Sequence, residues 1–567
     1  MHTHPTPWLV HALTLPVIAA ALVFALNPSQ ANAQDAPPNI IFILADDQGY
    51  GDLSALGNPI LKTPNLDRLY GQSTRFTRFY MNPVCAPSRA ALMTGRYPQR
   101  TGVWSTNRAK QQMHTDELTI PELLEQKGYR SAHFAKWHLG NGYPMNPRDQ
   151  GFQHSRRAAM QQKFNPRLVE NGKTQQFTGY ADDLYFDGAI AFIKENRERP
   201  FFVYLASWLP HDDKANDPIV PEPYLKPFKD QGLPKTTYEA YGMMTKLDEN
   251  VGRLLDFLDE QGLADNTLVI FTSDNGPIFG PRASAPRFNA GLRGHKGQVF
   301  EGGIRLPAFF RWPSRFEAGR DINEPVAHID LLPTLIDITG ITPPHPNKLD
   351  GQSLLPLLLG HADTLPDRTL FFQFDRHEDI PRKNHNFAAL TRQYKLVGRN
   401  QLYDLLSDPG EQMNLANQHP DIVDELRAQY DDWWTDVNRE RNFEVEKPIV
   451  GTKQKRVTLF NIGNAMLKGY PLEIGAPGQY ALTVRLSNRV FRPGQNYTAK
   501  IDLLGQRIEM PFTFNTKDPK LRLPPTAMPR AAGYVQVYFE GDLNTIKRAP
   551  YLDNDPGHAS ILIELIQ

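Results

Sequence analysis

Residues 40–44 read Ile-Ile-Phe-Ile-Leu and run into Ala45-Asp46-Asp47. So short an apolar run, closed by charge, suits a strand buried on both faces. The pattern recurs. Residues 129–135 read as a second strand, ending at Lys136-Trp137-His138-Leu139-Gly140. Residues 201–207 form a third, closed by Pro210-His211, and residues 267–272 a fourth, before Ser273-Asp274-Asn275-Gly276. Helix signals lie between them. Thr119-Ile120-Pro121-Glu122 is a capping box with proline in the first turn, and Gly128 ends that helix. Thr236 and Glu239 open another, with Met244, Leu247, Val251, Leu254, Leu255 and Leu258 at helical spacing and Gly262 as its stop. Open α/β sheets place ligands at the carboxyl ends of strands. Asp46, Asp47, Lys136, His138, His211, Asp274 and Asn275 all fall there.

Each of these groups has an ordinary explanation. Asp46 and Asp47 can end a strand and cap a turn. A lone Lys or His on a loop is usually solvated, and Asp-Asn-Gly is a turn sequence. Four strands ending in the same chemistry is harder to attribute to chance. Adjacent acids are also easier to explain with a cation between them.

Cys85 is the only cysteine among 567 residues. By itself it reads as a small buried hydrophobe. Its setting, Cys85-Ala86-Pro87-Ser88-Arg89 before Ala90-Ala91-Leu92-Met93-Thr94-Gly95-Arg96, has the grammar of a helix start. Pro87 suits a first helical position, Ala90 to Met93 favour helix, and Gly95 fits just past the end. Cys85 then stands at or just before a helix N-terminus, where an anion is favoured, and Arg89 adds a donor fork for an oxyanion.

Cys-x-Pro-Ser-Arg with Thr-Gly-Arg nearby resembles the signature of the type I sulfatases. The resemblance runs from residue 39 to about 415 and takes in Asp46-Asp47, Lys136-Trp137-His138, Pro210-His211, Ser273-Asp274-Asn275-Gly276, the stretch 292–297 ending in His295-Lys296-Gly297, and Leu402-Tyr403-Asp404-Leu405. It implies an α/β fold of the alkaline-phosphatase-like sandwich type, with a central mostly parallel sheet and a smaller C-terminal subdomain from about residue 366. It implies conversion of Cys85 to formylglycine, whose hydrate attacks sulfur; the second hydroxyl then lets sulfate leave. Asp46, Asp47, Asp274 and Asn275, with an oxygen of the modified Cys85, would hold one Ca²⁺ or Mg²⁺, a hard ion suited to oxygen donors. Arg89 would orient the formylglycine, Lys136 and Lys296 would bind sulfate oxygens, His138 would take a proton, and His211 with Lys296 would serve the leaving oxygen. Two rivals stand beside this: a phosphoester or phosphonate hydrolase of the same superfamily, and a retired sulfatase domain that only binds carbohydrate.

Charge is balanced, 62 basic against 62 acidic residues, which argues against a nucleic-acid binder working through a global positive field. Residues 12–26 are almost wholly apolar, and Ala31-Asn32-Ala33 fits cleavage after Ala33. Residues 1–33 thus read as a signal peptide handled by export machinery, with an uncleaved anchor second, and the product as periplasmic or extracellular. Partners are then a formylglycine-generating enzyme and a sulfated carbohydrate or small sulfate ester. The catalytic domain spans 34–446. From residue 447 the texture changes to strand-like runs at 456–462, 480–486, 497–504, 507–514, 533–539 and 559–566, between Gly, Pro and Asn turns. A β-sandwich-like accessory domain over 447–567 is expected to pack against the catalytic part and shape its substrate groove; inert packing and independent sugar binding are the alternatives.

Overall fold

The first strand, β1 (Asn39–Ala45), is buried along its whole length and sits in the middle of an eleven-stranded sheet. The computed structural model describes residues 1–2 and 37–566, apart from 107–108, 159–161, 212–218, 279–286, 345–347, 376–379, 454, 461–469, 487–490 and 541–558. The expected leader beyond residue 2 lies outside the described residues, as does most of 279–289, whose Pro, Arg and Ser content reads as a loop beside Lys296 that could shape substrate access. No described helix is long and apolar enough to cross a membrane.

The other strands of the sheet are β2 (Thr74–Tyr80), β3 (Arg130–Ala135), β4 (His154–Ala158), β5 (Arg167–Glu170), β6 (Lys173–Gln176), β7 (Phe201–Ala206), β8 (Thr267–Ser273), β9 (Arg305–Arg311), β10 (Asp321–Ile322) and β11 (Val326–Ala327). Their order is β10-β2-β9-β8-β1-β7-β3-β4-β5-β6, with β11 also on β2. The central four, β8, β1, β7 and β3, run parallel, so their carboxyl ends lie side by side. These are the four strands the sequence marks with polar endings. Apolar side chains alternate to the two faces of β1: Ile40, Phe42 and Leu44 join one core, Ile41 and Ile43 the other. Both faces are covered, as a buried parallel sheet requires. The helix Lys235–Glu260 packs on the second face through Met244, Leu247, Val251, Leu254, Leu255 and Leu258, and Gly262 follows in the left-handed region at φ 65°.

A four-stranded antiparallel sheet, β12 (Leu370–Gln373), β13 (Phe387–Leu390), β14 (Tyr394–Val397) and β15 (Gln401–Asp404), packs with the helix Pro420–Arg439. Trp433 of that helix stacks on Phe371, which makes its aromatic face core. Past residue 447, two five-stranded sheets share one apolar core that includes Tyr470, Leu482, Val484, Ile501 and Val537. The strands Tyr470–Ile474, Lys520–Arg522 and Thr526–Met528 add to those expected. Residues 37–567 form one compact unit, so the β-rich tail is packed with the rest of the chain.

Candidate active site

Parallel pairing fixes the site before any side chain is considered. Ala45 is in register with Ser273, Leu44 with Ala206, and Ala135 with Ala206. The next residues are therefore neighbours. Asp274 N–H donates to the Ala45 carbonyl at 3.1 Å, Asp46 N–H to the Leu209 carbonyl at 2.9 Å, and Lys136 N–H to the Ala206 carbonyl at 2.9 Å. Asp47, Ala135 and His138 all hold positive φ (65°, 75° and 63°). Non-glycine residues in that region cost free energy and cluster at functional sites.

Cys85 is the first residue of the helix Cys85–Thr94, every residue of which is buried. Gly95 caps it at φ 66°. Pro87 stands third in the helix, two positions later than its propensity alone suggests. Ligand-type atoms of Asp46, Cys85 and Asp274 lie within 4.8 Å of one another, as do those of Asp46, Asp47 and His211. Asn275 joins through Nδ2, which donates to Asp47 Oδ1 at 2.7 Å. The structure thus brings together all the residues singled out at the strand ends, along with Cys85, Arg89 and Lys296.

Charge is compensated inside this buried cluster. Arg89, fully buried, donates from Nε and Nη2 to Asp274 Oδ2 at 3.0 and 2.7 Å, and from Nη1 to the Lys136 carbonyl at 3.1 Å. Lys136 Nζ donates to Asp46 Oδ2 and Lys296 Nζ to Asp47 Oδ1, both at 2.6 Å. Burial by itself would raise the Asp46 carboxyl, but Lys136, with Arg89, holds it far below the usual range. Asp47 is lowered too, burial again being outweighed, here chiefly by Lys296. Asp274 goes the other way, to about 6, through burial and the neighbouring Asp46 charge. Burial raises the Cys85 thiol. It also lowers His211 to about 4, so His211 is neutral at neutral pH.

His138 is lowered well below its ordinary value by burial, with Lys136 adding to the effect. Its Nε2 lies 2.9 Å from the Thr106 carbonyl, and its buried Nδ1 has no partner. A carbonyl can only accept, so Nε2 carries the proton and Nδ1 is the bare, basic nitrogen.

Three buried oxygens of the strand-end residues lack hydrogen-bond partners: Asp46 Oδ1, Asp47 Oδ2 and Asn275 Oδ1. Buried polar atoms are rarely left unsatisfied. Three such acceptors on neighbouring strand-end residues, all hard oxygens, fit a divalent cation of the Ca²⁺ or Mg²⁺ type.

Sequence reasoning missed several contributors. Trp208 lies under Lys136, whose Nζ is 5.0 Å from the ring centroid. Arg287 donates to the Asp47 carbonyl at 2.6 Å and pairs with buried Asp52 at 2.6 Å. Neither of these two has a local pattern that marks it.

Residues 38–341 match the sulfatase family model, and residues 294–435 match the model described as N-sulphoglucosamine sulphohydrolase, C-terminal. The chain belongs to the sulfatase family. Members of this family hydrolyse sulfate esters. Human N-acetylgalactosamine-6-sulfatase is 34% identical over 375 residues, covering 60% of this chain and 69% of that protein. Human arylsulfatase A is 33% identical over 481 residues, 72% of this chain and 89% of that one. Among solved structures, Ps i-CgsB is similar at a TM-score of 0.65 and 28% identity, over 71% of this chain and 94% of its own; it is also known in complex with k-i-k-neocarrahexaose. The fold of this sulfatase is accordingly the alkaline-phosphatase-like one, with its large mostly parallel sheet and added antiparallel sheets.

Proposed function

We propose that this sulfatase removes sulfate from a sulfated carbohydrate, using formylglycine at position 85 and one divalent cation. The observation that carries the reading is the set of unpartnered oxygens on Asp46, Asp47 and Asn275, gathered where Cys85 opens its helix. Asp46, Asp47, Asp274 and Asn275 would hold the cation with an oxygen of residue 85. When bound, Ca²⁺ or Mg²⁺ supplies a Lewis acid that polarises a sulfate oxygen and favours the ionised nucleophile. Formylglycine, made from Cys85 by a maturation enzyme, supplies that nucleophile as its hydrate.

The chain's own groups do the rest. Arg89 fixes Asp274 and the backbone of Lys136, and so the floor on which residue 85 stands. Lys136 and Lys296 reach the sulfate oxygens as charged donors. Burial opposes the charged form of Lys296, but Asp47 outweighs it and holds the ammonium protonated. His138 receives a proton at Nδ1. Neutral His211 and protonated Lys296 face the leaving oxygen.

Sulfated carbohydrate is supported by what relatives are named for: N-acetylgalactosamine-6-sulfatase at 34% identity, and Ps i-CgsB with its neocarrahexaose at 28%. Export, with cleavage after Ala33, is part of the same proposal.

The test is mass spectrometry of the Cys85 peptide together with turnover of aryl sulfate, aryl phosphate and a panel of sulfated sugars. An aldehyde at position 85, sulfate released from a sugar, and loss of turnover in Cys85→Ala and Cys85→Ser are expected. An unmodified thiol, or near-parental turnover in Cys85→Ser, would overturn the mechanism. Phosphate hydrolysis without sulfate hydrolysis would overturn the substrate class.

A further inference from the structure

The carbonyl that sets the His138 tautomer belongs to Thr106, in a loop held largely from outside the catalytic sheet. Within that loop Trp104 and Ser105 N–H donate to the Lys110 carbonyl at 3.1 and 3.3 Å, and Gln112 N–H to the Ala109 carbonyl at 3.2 Å. Ala109, at φ 66°, is 1% exposed and lies in the apolar core of the β-rich region with Val450, Tyr470 and Leu472. The Gln112 side-chain amide sits 3.0 Å from the Tyr470 hydroxyl. With its oxygen turned to accept from Tyr470, its nitrogen donates to the Glu446 carbonyl at 2.6 Å. Both ends of the amide are thereby used, as burial demands.

The segment on the other side of His138 is held in the same way. Ile449 N–H donates to the Tyr143 carbonyl at 2.7 Å, and Lys453 Nζ stands 5.2 Å from the Tyr143 ring centroid. The two segments are tied to each other by Met113 N–H to the Leu139 carbonyl at 3.2 Å. Glu446, Ile449, Lys453 and Tyr470 thus touch both chain segments that frame the imidazole. Loops without such support are the least stable parts of a protein.

We propose that the β-rich region acts in catalysis as a brace: Tyr470 and Gln112 are positioning residues that hold Ala109–Gln112, whose Lys110 carbonyl takes the Trp104 and Ser105 N–H groups, and through the Thr106 carbonyl next to these keep the His138 Nδ1 bare and aimed into the site. The proposal rests on the proton role given to His138 above. Neither Tyr470 nor Gln112 touches the acidic cluster or Cys85, so the effect on chemistry passes through His138. A displacement of the loop by a fraction of an ångström weakens the bond to Nε2 and admits the other tautomer, in which Nδ1 carries the proton and cannot accept one.

The experiment compares full-length Tyr470→Phe and Gln112→Leu with Tyr497→Phe. Tyr497 is buried in the same core, but its hydroxyl accepts from Arg492 N–H at 2.9 Å, away from the loop. Turnover of a small aryl sulfate is measured well below each Tm, and the His138 tautomer is read from the ¹⁵N shifts of labelled imidazole, assigned by its loss in His138→Ala. In Tyr470→Phe and Gln112→Leu, kcat should fall about tenfold with KM unchanged, as for a slightly misplaced group. The His138 signal should move toward the mixed-tautomer position. Tyr497→Phe should leave both unchanged. Parental kcat and an unmoved imidazole signal in the two loop variants, or equal losses in Tyr497→Phe, would overturn the brace. His138→Ala judges the proton role separately: if it keeps parental kcat, that role falls, and the brace stands or falls on the imidazole signal.

Discussion

Lys136 Nζ lies 2.6 Å from Asp46 Oδ2, with both side chains out of solvent. The same lysine is expected to bind substrate sulfate. Asp46 presents two faces: Oδ2 to the lysine, and Oδ1 with no partner. A cation held at Oδ1 would compete electrostatically with the lysine at Oδ2, and the ammonium would then be free to turn toward sulfate. Chelation should therefore abolish turnover, and Ca²⁺ or Mg²⁺ should restore it. Lys136→Met should bind Ca²⁺ at least as tightly as the parent by calorimetry, while turnover of aryl sulfate falls on the order of a hundredfold or more. Asp46→Asn should lose turnover and at least about tenfold in metal affinity. Weaker Ca²⁺ binding in Lys136→Met would show that the lysine supports the metal rather than opposing it.

Arg89 carries the opposite burden. It is fully buried and gives two hydrogen bonds to one oxygen of Asp274. Breaking a buried pair by removing one partner leaves an uncompensated charge, which costs about 3–5 kcal/mol. Arg89→Met should lower the urea midpoint by a corresponding amount and abolish turnover. The double variant Arg89→Met with Asp274→Asn should recover much of the stability and none of the activity. Equal urea midpoints for parent and Arg89→Met would rule out a structural role for the pair.

The strand ends, the Cys85 helix and its Gly95 stop were legible because each rests on local chemistry: apolar runs, a helix-favouring stretch and a left-handed cap. What stayed hidden depends on long-range contact. Thr106 acts through its carbonyl, which every residue has, so no side-chain pattern marks it. Trp208 and Arg287 matter through partners far away in the chain. The positive φ of Ala135 carries no residue-type signal, and Asp47 and His138 belong to types that adopt it more often than most but far from always. In the tail, the strand Tyr470–Ile474 was missed because Pro471 reads as a strand breaker. There its ring occupies a register position opposite Tyr534. The strands Lys520–Arg522 and Thr526–Met528 are too short, among prolines, to show a period.

Asp182 gives a prediction in pH. It is buried, accepts from Ser207 Oγ at 2.7 Å through Oδ1, and has no partner at Oδ2. Burial raises its carboxyl to about 6 from 3.8. A folded value above the unfolded one means the stability it contributes is fully present below pH 3.8 and lost as pH rises through 6. At neutral pH the ionised group costs roughly 3 kcal/mol at most. Asp182→Asn should therefore gain stability over the parent as pH rises from 4 to 7, with no further gain above about pH 7. Urea unfolding at a series of pH values measures this, and a difference that stays flat from pH 4 to 7 would contradict it.

The last prediction concerns Lys395, on β14, which is fully buried between two carboxylates. Its Nζ is 2.9 Å from Glu301 Oε1 and 2.9 Å from Glu411 Oε1. Glu411 Oε2 also accepts from Glu301 N–H at 2.6 Å, and Tyr80 donates to Glu301 Oε2 at 3.1 Å. Glu301 opens the short helix Glu301–Ile304, whose Gly303 carbonyl receives Gly276 N–H at 2.9 Å, next to Asn275. One lysine thus ties the antiparallel sheet to the backbone behind the acidic cluster. Lys395→Met leaves two buried acids facing each other and should cost about 3–5 kcal/mol. Glu411→Gln keeps one ion pair and removes the repulsion, so it should cost far less. If the tie matters to the site, Lys395→Met should also weaken Ca²⁺ binding at a temperature where the protein is fully folded, and Glu411→Gln should not. Calorimetry on both variants reads this directly; parental Ca²⁺ affinity in Lys395→Met would confine the cluster to a structural role.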